Sequence, residues 1–478
     1  MSAQASKPPT LAMEERSIEH VPAAERHGKV WHQGPFWFTG NFVLLTMFVG
    51  FTGPSLGLSA GWSILAIVIG IAVGTFFMAF HANQGPHMGL PQMIQSRAQF
   101  GSRGAIIPFI ATTFVYVGFN VFCVLTVAEG IHMLVGGPLL LWNLLLVIAS
   151  IALAVYGYNL LQVVQRWLTY LLIVVFLLVT IAILAHGDTS SASAGVSGSG
   201  WNGTAFLVQL GLSAGYNISY SVYVSDHSRY LPERAAGGRL IGWIYGGAAL
   251  SAVWLMSVGA LLGSWMPDLG PLDGLKWAGD VLVPGFGVVV LITALVAQTT
   301  IISVNLYGAS LTTITCLDAF RPVRPTLRLR VNFLLGLGVL IFVTAAALPH
   351  DLLANYNAFV TLLLYALVPW TAINLVDYYL IRRGRYVIDD IIDSDGGIYG
   401  RWSPRALTAY GVSFAAMIPF FSLSFYVGPI AELLGGADIA FVVGLAVSAG
   451  LYAYLARDVD ADAEVATRET SLASTALG

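Results

Sequence analysis

The sequence predicts an all-α polytopic membrane protein with twelve transmembrane helices. Of its 478 residues, 57% are apolar and only 10% are charged, and the mean hydropathy is +0.76. A soluble globular protein of this length does not have that composition. Of the 22 lysines and arginines, all but Lys276 fall in the two tails or in every second connection between apolar segments. Because Lys and Arg are retained on the cytoplasmic side, this alternation predicts a multi-pass plasma-membrane protein with both termini in the cytoplasm.

The number of spans follows from the apolar segments, since a membrane-crossing helix needs about 20 mostly apolar residues. Residues 35–456 form a single membrane domain. Residues 1–34, which are polar and show no cleavable signal peptide, are predicted to be a disordered cytoplasmic tail, as are the acidic, Ala/Ser-rich residues 457–478. The spans are predicted near 35–58, 60–81, 105–134, 138–156, 163–186, 202–225, 238–266, 281–303, 329–348, 352–381, 406–428 and 436–456.

Two of these spans contain residues that interrupt a helix. Span one carries GFTGPS at 50–55, and span six carries GLSAGYNISYS at 211–221. Backbone groups freed at membrane depth are tolerated where they line a cavity, and interrupted spans at matching places in two halves of a chain indicate a transporter's binding site. The offset of five spans predicts two inverted repeats of five helices, with spans eleven and twelve appended. The alternative is that the glycines only permit close helix packing.

Charged residues are nearly absent from the spans. Glu129, near the outer end of span three, is the clearest exception, and a buried carboxylate can mark a proton path. Snorkelling or a helix-end contact is the alternative for Glu129. Asp226 and Asp377 lie at the inner ends of spans six and ten, each followed by arginine, which predicts structural pairing. The two cysteines predict neither a disulfide nor a metal site.

The other polar residues in the spans are amides, hydroxyls and aromatics. Such a set suits a flat, neutral, heteroaromatic ligand, because rings stack on aromatic faces and amides match ring donors and acceptors. The alternative is that each residue bonds only its own helix or a neighbour. The set comprises Thr39, Asn41, Tyr116, Phe119, Asn120, Asn217, Ser219, Tyr220, Gln298, Thr299, Thr300, Ser303 and Asn305.

Hydroxyl oxygens also suit a small cation. The adjacent Thr299 and Thr300, with carbonyls from a broken span one, would complete a site of hard oxygen ligands.

Three segments carry a family resemblance: GLPQMIQSRAQFG (89–101), SDHSRYLP (225–232) and VPWTAINLVDYYLIRRGRY (368–386). Together with WFTGN (37–41), they resemble the nucleobase–cation symporter-1 family, in its purine–cytosine permease branch. The segments occur in the order and topological places typical of that family. The similarity extends from about Trp31 to Tyr386.

The resemblance implies a leucine-transporter-like fold, in which a bundle of spans one, two, six and seven rocks against spans three, four, eight and nine. It places Thr39 and Asn41 on the substrate side of span one. Phe119 replaces a stacking tryptophan, and Cys123 replaces a common amide one turn later. The family's span-eight asparagine that contacts the base is matched by Asn305.

Span six and the cation site are also assigned by resemblance. The stacking position of span six is Tyr220, or Asn217 under a different alignment register. Thr299 and Thr300 match the hydroxyl pair of the family's sodium site, beside Val296 as a carbonyl ligand.

The predicted function is therefore secondary active import of a nucleobase, cytosine or a purine, with H⁺ or Na⁺ by alternating access. The expected partners are a small neutral heterocycle and the lipid bilayer; no cofactor, metal, catalytic residue or nucleic acid is expected. The nearest alternative keeps the fold and carries allantoin, hydantoin, thiamine or a pyridine vitamin. A channel and an integral membrane enzyme, the latter built on His81, His87 and Asn83, are the more distant alternatives. The oligomeric state does not follow from the sequence.

Overall fold

The computed structural model of the chain describes residues 19–156, 158–187, 200–321, 323, 326–348 and 351–466, with side chains up to Val155 and again from Trp167. Helices dominate these residues. The spanning elements are Gln33–Asn41 with Leu44–Gly50 and Thr52–Ser55 (span one), Ala60–His81, Ile106–Val135, Leu139–Tyr156, Tyr158–His186, Gly203–Ile218 with Val224–Ser228 (span six), Gly238–Trp265, Phe286–Asp318, Leu327–Ala347, Leu352–Val376, Pro404–Met417 and Ala440–Leu455 (span twelve).

This order is consistent with twelve spans. Seven helices are long and apolar enough to cross a membrane, and the two halves of span one, bent by 68°, make an eighth. The helices Leu139–Val155 and Ala440–Leu455 are apolar but shorter. The broken span six and the short span eleven complete the set.

Span eight differs from its predicted bounds of 281–303. A separate amphipathic helix, Pro271–Leu282, ends before it, and Gly285 (φ 85°) precedes its first turn. The Asp280 carboxylate accepts hydrogen bonds from the Gly285 and Gly287 amides, which joins the two helices. The hydrogen bond from Lys276 lowers the pKa of the Asp280 carboxyl. Span eight then continues to Asp318. The polar residues after 303, which led to the shorter prediction, fit within the helix because the threonine hydroxyls of this part donate to carbonyls of their own helix.

Span eleven is also shorter than predicted. Its helix ends at Met417, a 3-10 turn covers Ile418–Phe420, and a small antiparallel hairpin pairs Ser422–Leu423 with Tyr426–Val427. Pro419 lacks the amide hydrogen that a continuing helix requires. This hairpin is the only sheet within the described residues, so the fold is all-α as predicted.

The described parts of both predicted tails are ordered. Val21 is buried, and its amide donates to the Gly89 carbonyl at 2.9 Å. The Arg26 guanidinium donates to the Pro86 carbonyl at 2.6 Å. Glu464 pairs with Arg382 at 3.1 Å. The assignment of disorder is thus wrong for residues 19–34 and 457–466, because backbone and ion-pair contacts with distant loops order these polar segments. Residues 1–18 and 467–478 lie outside the described residues.

The arginine-bearing connections meet at one end of the molecule, which we name the basic end. There the Ser403 amide donates to the Phe100 carbonyl, and the His27 amide donates to the Tyr230 carbonyl. Arg97 reaches Asp318 at 3.3 Å. Both tail segments are bound at this end, as the charge alternation predicts.

The helices pack in the two groups that the resemblance implies. Span two packs on spans six and seven, whereas span three packs on span eight, and span nine packs on spans four and eight. The second half of span one, Leu44–Gly50 with Thr52–Ser55, lies directly against span seven. A Cβ atom at Gly50 would overlap the Met256 carbonyl, and one at Gly259 would overlap the Met47 carbonyl. This close approach lets the broken span lie at the centre of the bundle.

Candidate functional site

The break in span one lies at Phe42 and Val43, not at the predicted GFTGPS segment. The helix ends at Asn41, Val43 is extended (φ −134°, ψ 157°), and a new helix begins at Leu44. Gly50 instead serves helix packing, as the alternative interpretation holds. Apolar Phe42 and Val43 carry no breaking tendency, so contacts from other spans stabilise the break.

Span six breaks at the end of its predicted segment. The helix runs unbroken through Gly211 and Gly215 to Ile218. A 3-10 turn then covers Ser219–Val222, and Tyr223 leaves helical geometry (φ −141°, ψ 8°). The prediction of two broken spans is therefore confirmed, while the glycines do not mark where either break occurs.

Hydroxyl groups join the two breaks. The Thr46 hydroxyl donates to the Asn41 carbonyl at 2.7 Å and lies 2.6 Å from the Tyr216 hydroxyl. The Tyr216 hydroxyl is 3.1 Å from that of Tyr220, which donates to the Gly40 carbonyl at 3.3 Å. These linked hydroxyl groups satisfy carbonyls that the break in span one leaves without helical partners.

Asn41 and Asn217 lie behind these linked hydroxyl groups and do not line the cavity that is described next. Both are fully buried. Asn41 Nδ2 donates to Asn217 Oδ1 and to the Ala248 carbonyl, each at 3.1 Å, and Asn217 Nδ2 donates to Thr75 Oγ1 at 2.6 Å. The two amides thus tie spans one, six, two and seven together.

A cavity of about 1020 Å³ extends from the two breaks towards the basic end. Among the described residues, its lining contains no Asp, Glu, Lys or Arg; the titratable side chains there other than Cys and Tyr are His32 and His227. Aromatic rings form much of its wall. Trp37 stacks on Tyr223 (centroids 6.3 Å apart, interplanar angle 21°), and Tyr223 stacks on Tyr116 (5.4 Å, 21°). A neutral, aromatic wall of this kind accommodates a flat ring better than a charged solute.

Four of the six predicted substrate residues line this cavity together, namely Thr39, Phe119, Tyr220 and Asn305. The Thr39 hydroxyl donates to the Pro35 carbonyl at 2.9 Å. Phe119 meets Tyr216 edge-on, with ring centroids 5.8 Å apart.

Several cavity residues were not assigned from the sequence, namely Trp37, Tyr216 and Tyr223. Gln298, which belongs to the wider polar set predicted for the spans, also lines the cavity although it was not among the six substrate residues. The sequence spacing could have identified two of the unassigned residues. Tyr216 and Tyr223 lie four residues before and three residues after Tyr220, and residues at these spacings share one face of a helix.

The family described as "Permease for cytosine/purines, uracil, thiamine, allantoin" matches residues 20–444. The chain belongs to this family. It is 35% identical over 443 residues to the putative purine-cytosine permease YxlA of Bacillus subtilis, covering 92% of this chain and 95% of that protein. It is 26% identical to the purine-cytosine permease fcyB of Emericella nidulans, covering 92% and 88%.

Solved structures share the fold. Mhp1, a nucleobase-cation-symport-1 family transporter, in a closed conformation with bromovinylhydantoin bound, matches with a TM-score of 0.73 at 18% identity, covering 93% of this chain and 95% of that one. The inward-facing conformation of Mhp1 matches with a TM-score of 0.69, covering 95% and 94%. This permease-family member is therefore a multi-pass membrane transporter with the leucine-transporter-like fold.

The predicted cation residues of this family member do not line the cavity. Thr299 Oγ1 donates to the Leu295 carbonyl at 2.8 Å, and Thr300 Oγ1 donates to the Ala297 carbonyl at 2.7 Å. Each hydroxyl oxygen keeps lone pairs for another partner. The Val296 side chain is 46% exposed. Glu129 is partly buried at the opposite end of span three from the cavity's mouth and does not line the cavity.

Asp377 has the structural role predicted for it. Its buried carboxylate pairs with Arg382 at 2.5 Å and accepts hydrogen bonds from Tyr386, Tyr452 and Gln99 at 2.7–2.9 Å. These contacts join span ten to span twelve and to the connection after span two. The Asp226 carboxylate similarly accepts a hydrogen bond from the backbone amide of Gln92 at 2.7 Å.

The residues considered for an enzyme are engaged in structural contacts. His81 stacks on Trp370 with centroids 4.9 Å apart. His87 contacts the Tyr378 hydroxyl, and Asn83 Oδ1 accepts from the Gly237 amide at 2.6 Å. Among the described residues, no group of three His, Cys, Asp or Glu side chains is arranged to hold a metal ion.

Proposed function

We propose that this transporter imports a nucleobase, cytosine or a purine, together with a cation by alternating access. The observation that carries this proposal is the cavity between the two breaks, whose wall is aromatic and amide-bearing and, in the part of the chain that the structure describes, has no Asp, Glu, Lys or Arg. A charged cargo would require a buried counter-charge there, because an unpaired charge is costly in a low-dielectric site. A nucleobase needs only ring contacts and neutral hydrogen bonds.

The relatives favour a nucleobase over the alternative cargoes. The relative named for purine and cytosine is 35% identical over 92% of this chain. The vitamin B6 transporter TPN1 of Saccharomyces cerevisiae is 23% identical over 63% of it, and the hydantoin permease of Microbacterium maritypicum is 23% identical over 78%. Hydantoin and pyridine vitamins are also neutral or weakly charged rings, so they remain the second candidate and belong in any competition panel.

The basic end is proposed to face the cytoplasm, which makes this conformation inward-facing. The cavity is lined by Trp31, His32, the segment 34–40, His227 and Gly242, all in the half of the molecule nearest that end. At the opposite end, Thr52 Oγ1 donates to Asn357 Oδ1 at 3.1 Å, and the Gly53 amide donates to Gln209 Oε1 at 2.7 Å. These bonds close span one against spans ten and six and support release of cargo towards the basic end.

A cation at Val296, Thr299 and Thr300 is proposed to favour the outward-open state and thereby raise affinity for the base, since coupling between two ligands is reciprocal. Uptake of cytosine into proteoliposomes under separately imposed sodium and pH gradients identifies the ion. Thr299→Val with Thr300→Val should abolish stimulation by sodium. Stimulation by the pH gradient alone, unchanged in that double variant, would assign coupling to another group, with Glu129 as the first to test.

The cargo assignment is tested by Asn305→Ala. Loss of this cavity amide should abolish uptake of labelled cytosine and purines while the variant remains folded and monodisperse in detergent. Asn143→Ala, the same change in span four and away from the cavity, is the matched control and should retain uptake. Unchanged uptake by Asn305→Ala would remove this residue from the site. Competition by hydantoin or pyridoxine but not by nucleobases would replace the proposed cargo.

A further inference from the structure

The Gln298 side chain is held in a single orientation at the deep end of the cavity. It is 1% exposed, and its Oε1 accepts the Leu44 amide hydrogen at 3.0 Å. Leu44 begins the outer half of span one, so its amide has no partner within its own helix. Because a backbone N–H bonds only to an acceptor, this contact identifies the oxygen of the carboxamide. The nitrogen must therefore point the other way, towards span three.

That nitrogen has only a weak partner. Gln298 Nε2 donates to Cys123 Sγ at 2.7 Å, and both residues line the cavity. A thiol sulfur is a poor hydrogen-bond acceptor compared with a carbonyl oxygen or a ring nitrogen. The oxygen of Gln298 is thus firmly bound, while the one of its two Nε2 hydrogens that points at Cys123 is available for exchange with a better acceptor.

We propose that Gln298 determines specificity by donating its Nε2 hydrogen to an acceptor atom of the cargo, with Cys123 as the partner it leaves. This inference rests on the proposed function and deepens it. It predicts that the cargo presents a carbonyl oxygen or an unprotonated ring nitrogen at the deep end. A ring that presents N–H at that edge would face another N–H and would be rejected.

The placement of the other cavity amide supports this role. Gln298, Ile301 and Asn305 follow one stripe of span eight at spacings of three and four residues, and all three line the cavity. Residues seven apart on a helix are about 10 Å apart along its axis. Since Asn41 and Asn217 bond each other behind the wall, the two amide side chains that line the cavity within the described residues both come from span eight. They are spaced to contact opposite edges of one planar ring that lies beside Phe119.

The test compares two substitutions at Cys123 that leave Gln298 in place. Serine supplies a stronger acceptor that retains the Gln298 N–H, whereas alanine removes the acceptor and frees it. In proteoliposomes with labelled cytosine, and with labelled adenine as a second probe, Cys123→Ser should raise KM above that of Cys123→Ala by about fivefold, the difference expected for one neutral hydrogen bond. A purely structural Gln298–Cys123 bond predicts the reverse order, because serine would preserve it. Equal or reversed KM values would overturn the proposal.

A second background shows whether the effect passes through Gln298. Gln298→Met keeps the length of the side chain and removes its hydrogen bonds, so KM should rise about tenfold and the two Cys123 variants should no longer differ. A serine–alanine difference that persists in that background would also overturn the proposal. Cys316→Ser, a change at the other cysteine and away from the cavity, is the control for thiol loss. Failure of the wild type to take up either base would refute the proposed function itself, which distinguishes the two failures.

Discussion

Identical side-chain chemistry has different uses at different positions in this transporter. Asn41 and Asn217 are fully buried and bonded to each other, whereas Gln298 and Asn305 line the cavity. A buried amide without partners costs about 1–3 kcal/mol, and the hydrogen bonds of Asn41 and Asn217 to each other and to spans two and seven offset that cost. At the residue scale, position in the fold separates a structural amide from a ligand-binding one.

Glycine positions can be distinguished in the same way. Gly50→Ala should lower the stability of the folded protein by about 1–3 kcal/mol, because the added methyl group overlaps the Met256 carbonyl and forces spans one and seven apart. Gly61→Ala is the control, since a Cβ at Gly61 meets no atom within 4 Å, and better helix propensity makes it neutral or stabilising by up to about 1 kcal/mol. Thermal unfolding in detergent measures both. Equal melting temperatures for the two variants would contradict the packing role of Gly50.

At the scale of elements, the two breaks depend on one another. Gln298 of span eight caps the second half of span one, which begins at Leu44. The Asn41 carbonyl, at the end of the first half, is bonded by Thr46, whose hydroxyl contacts that of Tyr216 in span six. Neither break is stabilised by residues of its own segment alone. Movement of spans one and six relative to span eight, which alternating access requires, therefore has to exchange these contacts.

The connection after span ten offers a stability prediction at this scale. Arg382→Met leaves the buried Asp377 carboxylate without its cation, and removal of one partner of a buried pair costs about 3–5 kcal/mol. Arg385→Met is the matched control, because Arg385 and Asp462 are both exposed and such pairs contribute at most about 1 kcal/mol. Denaturation in detergent should separate the two variants clearly. Adding Asp377→Asn to Arg382→Met should recover part of the loss; no recovery would show that the charge pair is not the cause.

At the scale of the whole molecule, charge is separated from the site of transport. Arginines cluster at the basic end, where they bind both tails and the connecting segments, and the described residues of the cavity wall include none. The same separation anchors the orientation of the bundle in the membrane and keeps the central cavity suited to a neutral solute.

The orientation is open to direct measurement. A fluorescent protein fused after Gly478 should fold in the cytoplasm and fluoresce, whereas alkaline phosphatase inserted after Gly270, beside the outer helix Pro271–Leu282, should be active outside. The reason is that short Arg-rich connections remain inside. An insertion of the phosphatase after Glu233, in the connection after span six, serves as the inactive control. The opposite pattern of activities would reverse the proposed direction of the cavity.

The helical membrane fold, the clustering of the basic connections, the presence of two broken spans five apart and the neutral chemistry of the interior were all predictable from the sequence. These features follow from hydropathy and charge, which act on each segment locally. The positions of the breaks and the choice of polar residues that face the cavity depend instead on tertiary contacts. Span one breaks at Phe42 and Val43 because Gln298 and Thr46 satisfy the freed backbone groups. Asn41 and Asn217 do not line the cavity because they are hydrogen-bonded to each other behind its wall. Such partners are far apart in the chain, so no local pattern records them.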